Sequence, residues 1–225
     1  GIDIYAVDEC GLLKGLDYLK YLADKNDSLS FDELDIVRDT RFDVRYIYSY
    51  NALYGDALID AGMASYPDEL LKEYSRIGIN GIWIHTVLYK LVEFPWAPEL
   101  SENWQIRQEG LKAFVDRAGQ YGIKVYLYLN EPRSMPDAFF ARYPHLRGAR
   151  EGDFCAMCTS TDEVRAYLED AAYRLFCAAP DLAGFFTISM SENLTNCYSR
   201  AQDAGGCPRC AARQRRSPLM MMYFP

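Results

Sequence analysis

Residues 78–87, Gly-Ile-Asn-Gly-Ile-Trp-Ile-His-Thr-Val, and residues 122–129, Gly-Ile-Lys-Val-Tyr-Leu-Tyr-Leu, decide the fold class. In each stretch a glycine follows a segment with helical periodicity and precedes an apolar run rich in β-branched and aromatic residues. This alternation is typical of βαβ units, whose strands form a parallel sheet. The elements predicted here are a helix over 67–77, a strand over 82–87, a helix over 104–121 and a strand over 123–129.

The same alternation extends outward in both directions along the chain. The further predicted elements are a strand over 44–50, a short helix over 137–142, a helix over 161–177 and a strand over 182–189. The strands are apolar almost throughout, as expected for a sheet that is covered on both faces. A complete (β/α)₈ barrel takes about 250 residues. We therefore predict an α/β fold that contains a partial (β/α)₈ TIM barrel of about four βα units.

Two flanking segments depart from this alternation. Residues 1–43 contain a predicted strand at Ile2–Val7, a predicted helix at Gly11–Ala23 and a polar connector, which is typical of the end of a small α/β domain. Residues 44–213 form the predicted half barrel. Residues 214–225 follow neither the helical nor the strand periodicity, so we expect an aberrant or disordered tail. The alternative is an apolar arm that contacts a partner. The chain has the pattern of a fragment of a longer protein.

Composition and charge exclude several classes of function. The 225 residues include 24 Lys+Arg and 32 Asp+Glu, a net charge of −8, and half of them are hydrophobic. An acidic chain is poorly suited to nucleic acid, because binding rests on cations that neutralise phosphates. No apolar run reaches the ~18 residues that a membrane helix needs. We expect a cytoplasmic protein that binds neither nucleic acid nor membranes.

The cysteine spacing points to a metal site. Cys155 and Cys158 form one C-x-x-C pair, Cys207 and Cys210 form another, and Cys197 lies between them. The second pair has the spacing of a zinc knuckle. We predict a structural zinc ion bound by Cys158, Cys197, Cys207 and Cys210, with Cys155 as the alternative to Cys158. Reduced thiols without metal and redox chemistry are the competing interpretations.

The chain has seven cysteines in all, an odd number that argues against a secreted disulfide framework. Cys10 and Cys177 lie within apolar patterns, so we expect both to be ordinary buried thiols.

Two glutamates directly follow predicted strands. In parallel α/β folds the active site lies where the strands end. Glu131 follows the third strand of the predicted barrel, and Glu192 follows the fourth. A pair of carboxyl groups at adjacent strand ends is what cleavage of a glycosidic bond requires. Surface or ion-paired carboxylates are the alternative interpretation of each glutamate.

Other polar side chains near the strands are candidates for binding a sugar. They are Arg45, Tyr50, His85, Asn130 and Asn193. A histidine on an apolar strand is equally consistent with a core residue, and Arg45 could instead pair with a buried acid.

Two segments resemble known glycoside hydrolases. Asp8-Glu-Cys-Gly-Leu-Leu-Lys-Gly15 is similar to the end of the N-terminal domain of β-hexosaminidase-like and α-glucuronidase-like TIM-barrel hydrolases. Gly78-Ile-Asn-Gly-Ile-Trp83, with the helix before it, is similar to the first helix and second strand of their barrels. The cysteine-bearing segment resembles bacterial relatives of these enzymes. The resemblance implies that Glu192 is the general acid that closes the fourth strand. The hexosaminidase branch normally has Asp-Glu where this chain has Ser191-Glu192.

A second resemblance involves Asn130-Glu131-Pro132. It is similar to the N-E-P at the end of the fourth strand in the large clan of retaining glycosidases, where the glutamate is the acid/base. That assignment requires Ile2–Val7 to be the first barrel strand. The connector of about 20 residues before Val44 is long for a βα connection.

Taken together, these patterns predict a glycoside hydrolase that acts on a carbohydrate substrate, with Glu192 as general acid and Glu131 as partner carboxylate or substrate ligand. A zinc-stabilised, non-catalytic carbohydrate-binding or interaction module is the alternative. Half a barrel exposes strand edges and an apolar interior, so we also expect self-association.

Overall fold

The chain forms a mixed α/β structure around a parallel sheet. The computed structural model describes residues 1–30, 35–49, 55–188, 194–199 and 206–216, with side chains described up to Ala212. The parallel sheet has four strands in the order β1-β2-β3-β7: β1 Tyr46–Ile47, β2 Gly81–Thr86, β3 Lys124–Leu129 and β7 Gly184–Phe186. These strands fall within or beside the four that the sequence predicts, and the parallel arrangement is confirmed.

Six α-helices are present among the described residues: α1 Glu9–Asn26, α2 Asp68–Arg76, α3 Trp104–Gly119, α4 Asp137–Arg142, α5 Asp162–Ala178 and α6 Pro208–Arg216. The predicted helices correspond to α1–α5, with ends that differ by a few residues. Helix α6 includes residues 214–216 of the segment that we expected to be a tail, and residues 217–225 lie outside the described part of the chain.

A second, antiparallel sheet lies in the connection between β3 and α5. Its three strands, in the order β4-β6-β5, are β4 Met135–Pro136, β5 Arg147–Glu151 and β6 Phe154–Met157. This sheet was not among the elements predicted from the sequence. Its longest strand, β5, carries charged residues and a β-bulge, so the alternation that marks a strand is missing there.

The two faces of the parallel sheet have different surroundings. Ile82 and Ile84 of β2 are buried in the main hydrophobic core, which β3 shares with α3 and α5. The alternate residues Trp83 and His85 are half-buried and lie among aromatic rings. Trp83 stacks on Tyr48 with ring centroids 4.0 Å apart. One face of the sheet is therefore covered by helices, and the other presents an aromatic surface.

The N-terminal segment differs from its prediction. Residues 2–7 form no strand, so the predicted strand at Ile2–Val7 is wrong. Helix α1 forms as expected, but none of its residues is buried, and Leu12 and Leu16 are exposed. The Asp8 carboxylate accepts the N–H of Gly11 at 2.7 Å, which caps the helix start. Local capping and helical periodicity therefore define α1, whereas a strand needs a pairing partner that residues 2–7 lack among the described residues.

Residues 55–66 lie against helix α3. A Cβ atom at Gly110 of α3 would lie 1.7 Å from the carbonyl oxygen of Leu58, so glycine is required at this close approach. Arg117 of α3 donates to the carbonyl oxygens of Ala61 and Tyr66 at 3.0 and 2.8 Å. Residues 55–58 line the same cleft as residues 84–87 at the end of β2.

The hydroxyl of Tyr66 joins the segment after β1 to strand β2, and its removal should destabilise the protein. Tyr66 is fully buried, accepts the N–H of Ser49 at 2.8 Å and donates to the carbonyl oxygen of Trp83 at 3.1 Å. We expect Tyr66→Phe to lower the free energy of unfolding by about 1–3 kcal/mol, because both groups lose a buried partner. Urea denaturation measures the change. Tyr5→Phe, at a side chain that is 91% exposed, is the control and should leave stability unchanged.

Candidate functional site

Four cysteines from distant parts of the chain meet in one buried cluster. Cys158 follows β6, Cys197 lies in the connection after β7, Cys207 precedes α6 and Cys210 lies in its first turn. Their ligand atoms all lie within 4.8 Å of one another, and each residue is at most 2% exposed. The cluster has the composition and the spacing of a metal-binding site.

The sulfur separations fit a tetrahedral ion. The Sγ atom of Cys158 lies 3.6 Å from that of Cys207 and 3.6 Å from that of Cys210. Four sulfurs placed about 2.3 Å from a central zinc ion would be about 3.8 Å apart. A four-thiolate site could therefore close around an ion with small movements of the side chains.

Polar groups next to the cluster are positioned to hold the sulfurs. The N–H of Ala149 donates to Cys197 Sγ at 3.4 Å, and Nε of Arg209 donates to Cys158 Sγ at 3.5 Å. Gly148 makes this approach possible, because a Cβ atom there would lie 2.7 Å from Cys197 Sγ. Such contacts orient ligand atoms and offset the negative charge of thiolates. No sequence signal marked Arg209 as a neighbour of the metal ligands, although it lies inside the C-P-R-C segment.

The cluster favours a thiolate at Cys158. Hydrogen bonds from the thiols of Cys197 and Cys210, together with Arg209, hold the pKa of the Cys158 thiol far below its usual range. Hydrogen bonding with Cys158 and burial raise the pKa of Cys197. Negative charge is therefore shared among the sulfurs of the cluster, and a bound cation would neutralise it.

The structure separates Cys158 from its competitor, Cys155. The thiol of Cys155 lies on β6, donates to Asp137 at 3.1 Å and accepts from Arg147 at 3.3 Å, and is not part of the cluster. Burial raises the pKa of the Cys155 thiol. Of the two, Cys158 is therefore the candidate ligand.

The other two cysteines differ from expectation. Cys10 and Cys177 are both exposed, so the prediction that they are buried thiols is wrong. Cys10 lies on α1, which has no buried residues, and Cys177 lies near the end of α5. Apolar neighbours in the sequence do not bury a side chain that faces solvent.

Glu131 lies where β3 ends and links two segments of the chain. Its Oε1 atom accepts the N–H of Leu88 at 2.6 Å, and its Oε2 atom accepts the N–H of Arg133 at 3.0 Å. Burial raises the pKa of the carboxyl group to about 7, although both N–H groups and the Arg133 guanidinium favour the charged form. Proton release near neutral pH is the property that general acids share.

His85 lies on the neighbouring strand, β2. Its ring centroid is 5.1 Å from that of Tyr128, and its Nε2 atom is buried without a hydrogen-bond partner in the described part of the chain. Burial, and then the positive charge of Arg133, lower the pKa of His85. The imidazole is therefore neutral at pH 7 and can donate or accept one hydrogen bond.

Both polar atoms of the Asn130 side-chain amide form hydrogen bonds within the protein. Its Nδ2 atom donates to the hydroxyl of Tyr128 at 2.7 Å, and its Oδ1 atom accepts the N–H of Ile188 at 3.1 Å. The side chain is 1% exposed. In this arrangement Asn130 joins the end of β3 to the segment after β7.

Of the other predicted site residues, one lies elsewhere in the fold and three lie outside the described residues. Arg45 precedes β1, so it lies at the opposite edge of the sheet, where its Nε atom donates to the carbonyl oxygen of Gly78 at 2.7 Å. Tyr50, Glu192 and Asn193 lie outside the described residues. The candidate acid site is therefore Glu131 itself, with Asn130 before it in the chain and His85 on the neighbouring strand.

Comparisons with protein families, with curated proteins and with solved structures found no match for this chain. In the parts of the chain that are described, no helix combines the length and the apolar character needed to cross a membrane.

Replacement of Cys158 should abolish metal binding. We expect wild-type protein to hold one metal ion per chain and Cys158→Ser to lose it on dialysis against a chelator, because the cluster then has three thiolates. Metal analysis by mass spectrometry measures the content. Cys155→Ser is the matched control and should keep the ion; equal loss in both variants would contradict the assignment of Cys158.

The buried carboxyl of Glu131 should make stability depend on pH. Its pKa rises from 4.5 in the unfolded chain to about 7 in the folded one, so the folded state binds the proton more tightly. That contribution is complete below pH 4.5 and is lost as the pH rises through 7. Between pH 5 and pH 8 we expect wild type to lose about 2 kcal/mol relative to Glu131→Gln.

Urea denaturation of both proteins at the two pH values measures this difference. Glu69→Gln, on the exposed side of α2, is the control. Parallel changes with pH in wild type and Glu131→Gln would contradict the raised pKa.

Proposed function

We propose that the four-cysteine cluster binds zinc in a structural role. The donor set supports this, since four thiolates are typical ligands of structural zinc, and a site closed by four protein ligands leaves no position for water or substrate. The buried sulfurs of Cys158, Cys197, Cys207 and Cys210 carry the argument. In the wild-type sample of the Cys158 experiment, zinc should be the element found, and iron in its place would overturn the proposal.

Zinc at this position would fix the path of two connections. Cys158 belongs to the connection between β3 and α5, and the other three cysteines follow β7. Both connections begin at the carboxyl ends of the parallel strands. The ion would therefore stabilise loops on the side of the sheet that carries Glu131.

We propose, further, that the parallel sheet is half of a (β/α)₈ barrel. The support is that strands β1, β2, β3 and β7 pair in chain order, with a helix between each successive pair. The outer edges of β1 and β7 pair with no other strand among the described residues. Self-association through these edges stays a prediction.

We infer that the chain hydrolyses O-glycosyl bonds, with Glu131 and Glu192 as the pair of carboxyl groups. The observation that carries this inference is a carboxyl group at the end of a central strand with a pKa of about 7. Such a group is protonated often enough to donate to the leaving oxygen while a second carboxylate acts on the other side of the bond. The raised pKa favours Glu131 as the general acid, whereas the family resemblance implies Glu192.

Hydrolysis adds water across the bond between the anomeric carbon and the glycosidic oxygen. The proton of Glu131 goes to the leaving oxygen, the oxygen of water becomes bonded to the anomeric carbon, and the proton that this water gives up goes to a carboxylate of the pair. His85 lies on the neighbouring strand, and its Nε2 atom, which lacks a partner in the described residues, could hydrogen-bond a sugar hydroxyl.

The test is turnover of a panel of aryl glycosides by the chain and its variants. Loss of the general acid should lower kcat by about 10²-fold or more. We expect this loss in Glu131→Gln, whereas Glu169→Gln, on the exposed side of α5, should match wild type. A comparable loss only in Glu192→Gln would return the acid role to Glu192.

A non-catalytic carbohydrate-binding module is the second candidate. The observation in its favour is that both carboxylate oxygens of Glu131 already accept backbone N–H groups, as in a residue that only links two segments. Sugar binding by calorimetry without turnover of any aryl glycoside would select this function over hydrolysis.

A further inference from the structure

Helix α1 carries an apolar stripe that faces solvent. Leu12, Leu13 and Leu16 are 43%, 36% and 57% exposed, and no residue of the helix is buried. Positions 12 and 13 lie one helical turn before position 16, so the three side chains form one patch on the helix surface. An apolar face of a helix is ordinarily packed against another element, and a contiguous exposed patch indicates an interaction surface.

A different side of α1 attaches the helix to the rest of the protein. Nζ of Lys14 donates to the carbonyl oxygen of Ser75 on α2 and, at 2.8 Å, to the hydroxyl of the same residue. Cys10, one turn before Lys14, lies against Gly122, where a Cβ atom would be 2.9 Å from the cysteine Sγ atom. Positions 10 and 14 therefore mark the side of α1 that faces the body of the protein.

The segment that precedes the helix covers a further side. A Cβ atom at Gly15 would lie 2.5 Å from Cγ2 of Ile4, and one at Gly11 would lie 2.8 Å from Cβ of Ala6. Positions 11 and 15 are one turn apart, so the N-terminal segment runs along this side of α1. The leucine stripe is on the side of the helix that these contacts leave open to solvent.

Two residues of opposite charge flank the stripe. Glu9 lies four residues before Leu13, and Lys20 lies four residues after Leu16. Because Leu13 and Leu16 are three residues apart, this spacing keeps all four side chains on one face of the helix. Glu9 and Lys20 are both exposed, and neither forms an ion pair with any residue that the structure describes. Both charges are therefore available to a partner.

The order of these residues is complementary to itself. Two copies of α1 can pack antiparallel about a twofold axis at the midpoint between Leu13 and Leu16. Each Glu9 then meets the Lys20 of the other copy, and each Leu13 meets a Leu16. The two helix dipoles also run in opposite directions in this arrangement. A parallel pair would bring like charges together at both ends, so the charge pattern favours the antiparallel one.

We propose that the protein forms a symmetric dimer through this face of α1, with the leucine stripe at the centre and an ion pair between Glu9 and Lys20 at each end. The surface is separate from the strand edges of the proposed half barrel, and the proposal does not depend on hydrolase activity. One helix face from each copy makes a small interface, and exposed ion pairs set orientation more than affinity. We therefore expect a weak dimer, with a dissociation constant of about 10–1000 μM.

Sedimentation equilibrium of the wild-type chain over about this concentration range measures the association. Leu16→Glu places two negative charges beside the twofold axis, so we expect it to weaken association by at least about tenfold. Ile106→Glu, which introduces the same charge at a 48% exposed residue of α3, is the matched control and should associate like wild type. Circular dichroism checks that each variant keeps its helix content.

Two results of this experiment would overturn the proposal. Association that Leu16→Glu leaves unchanged would assign the contact to another surface, such as the strand edges. A wild-type chain that stays monomeric over the whole range would leave the leucine stripe to a different partner.

Reversal of the two flanking charges tests the antiparallel arrangement. Glu9→Lys brings two cations together at each end of the dimer, and Lys20→Glu brings two anions together. Each variant should associate about tenfold more weakly than wild type at low ionic strength. A mixture of the two variants regains opposite charges at both ends, so a mixed dimer should form about as tightly as the wild-type dimer.

The control for the mixture is Lys72→Glu, which makes the same change of charge at an exposed lysine of α2. It should associate like wild type by itself and should not bind Glu9→Lys as tightly as Lys20→Glu does. If Glu9→Lys and Lys20→Glu associate no more tightly together than apart, Glu9 does not meet Lys20 in the dimer and the proposal is wrong.

Discussion

The parallel pairing of β2 with β3 is the constraint on which the candidate acid site depends. The two strands are in register over six residues, from Gly81 opposite Lys124 to Thr86 opposite Leu129. Because both strands end at the same level, the segments that follow them meet. Leu88 can therefore donate to Glu131 at 2.6 Å, and a carboxyl group is held against the core at the edge of the sheet. A register shift would move Glu131 away from Leu88 and would exchange the residues that face the core with those that face the aromatic surface.

Two separate clusters of buried side chains support this edge. The main core fills the space between the parallel sheet and its helices, and the smaller one consists of the four cysteines and Ala149, with Tyr198 packed against them. The smaller cluster has little apolar area, and its sulfurs share negative charge, so packing alone stabilises it weakly. A bound cation would replace the protons that the sulfurs share and would hold all four thiolates directly. Metal binding and the order of the loops after β6 and β7 should therefore be coupled, as they are in small metal-stabilised folds.

The buried Glu131 carboxyl and the His85 nitrogen that lacks a partner among the described residues both carry a cost in stability. A carboxyl whose pKa is raised to about 7 by burial and a histidine nitrogen without a partner in the described residues both cost stability. Proteins keep such groups where a ligand or a reaction compensates the cost, which makes perturbed groups markers of functional sites. Their position at the end of adjacent strands agrees with the general location of sites in parallel α/β folds.

The amino-acid sequence by itself determined the helices α2, α3 and α5, the strands β2 and β3 and the candidate cysteines, since periodicity, glycine stops and C-x-x-C spacing are local properties of the chain. Only the tertiary structure decided which cysteines meet. Cys158 and Cys155 have equivalent spacing, but only Cys158 lies beside Cys207, 49 residues away along the chain. The raised pKa of Glu131 was likewise invisible to the sequence. It depends on burial and on groups from other segments, and those follow from the path of the chain in space rather than from neighbours in the sequence.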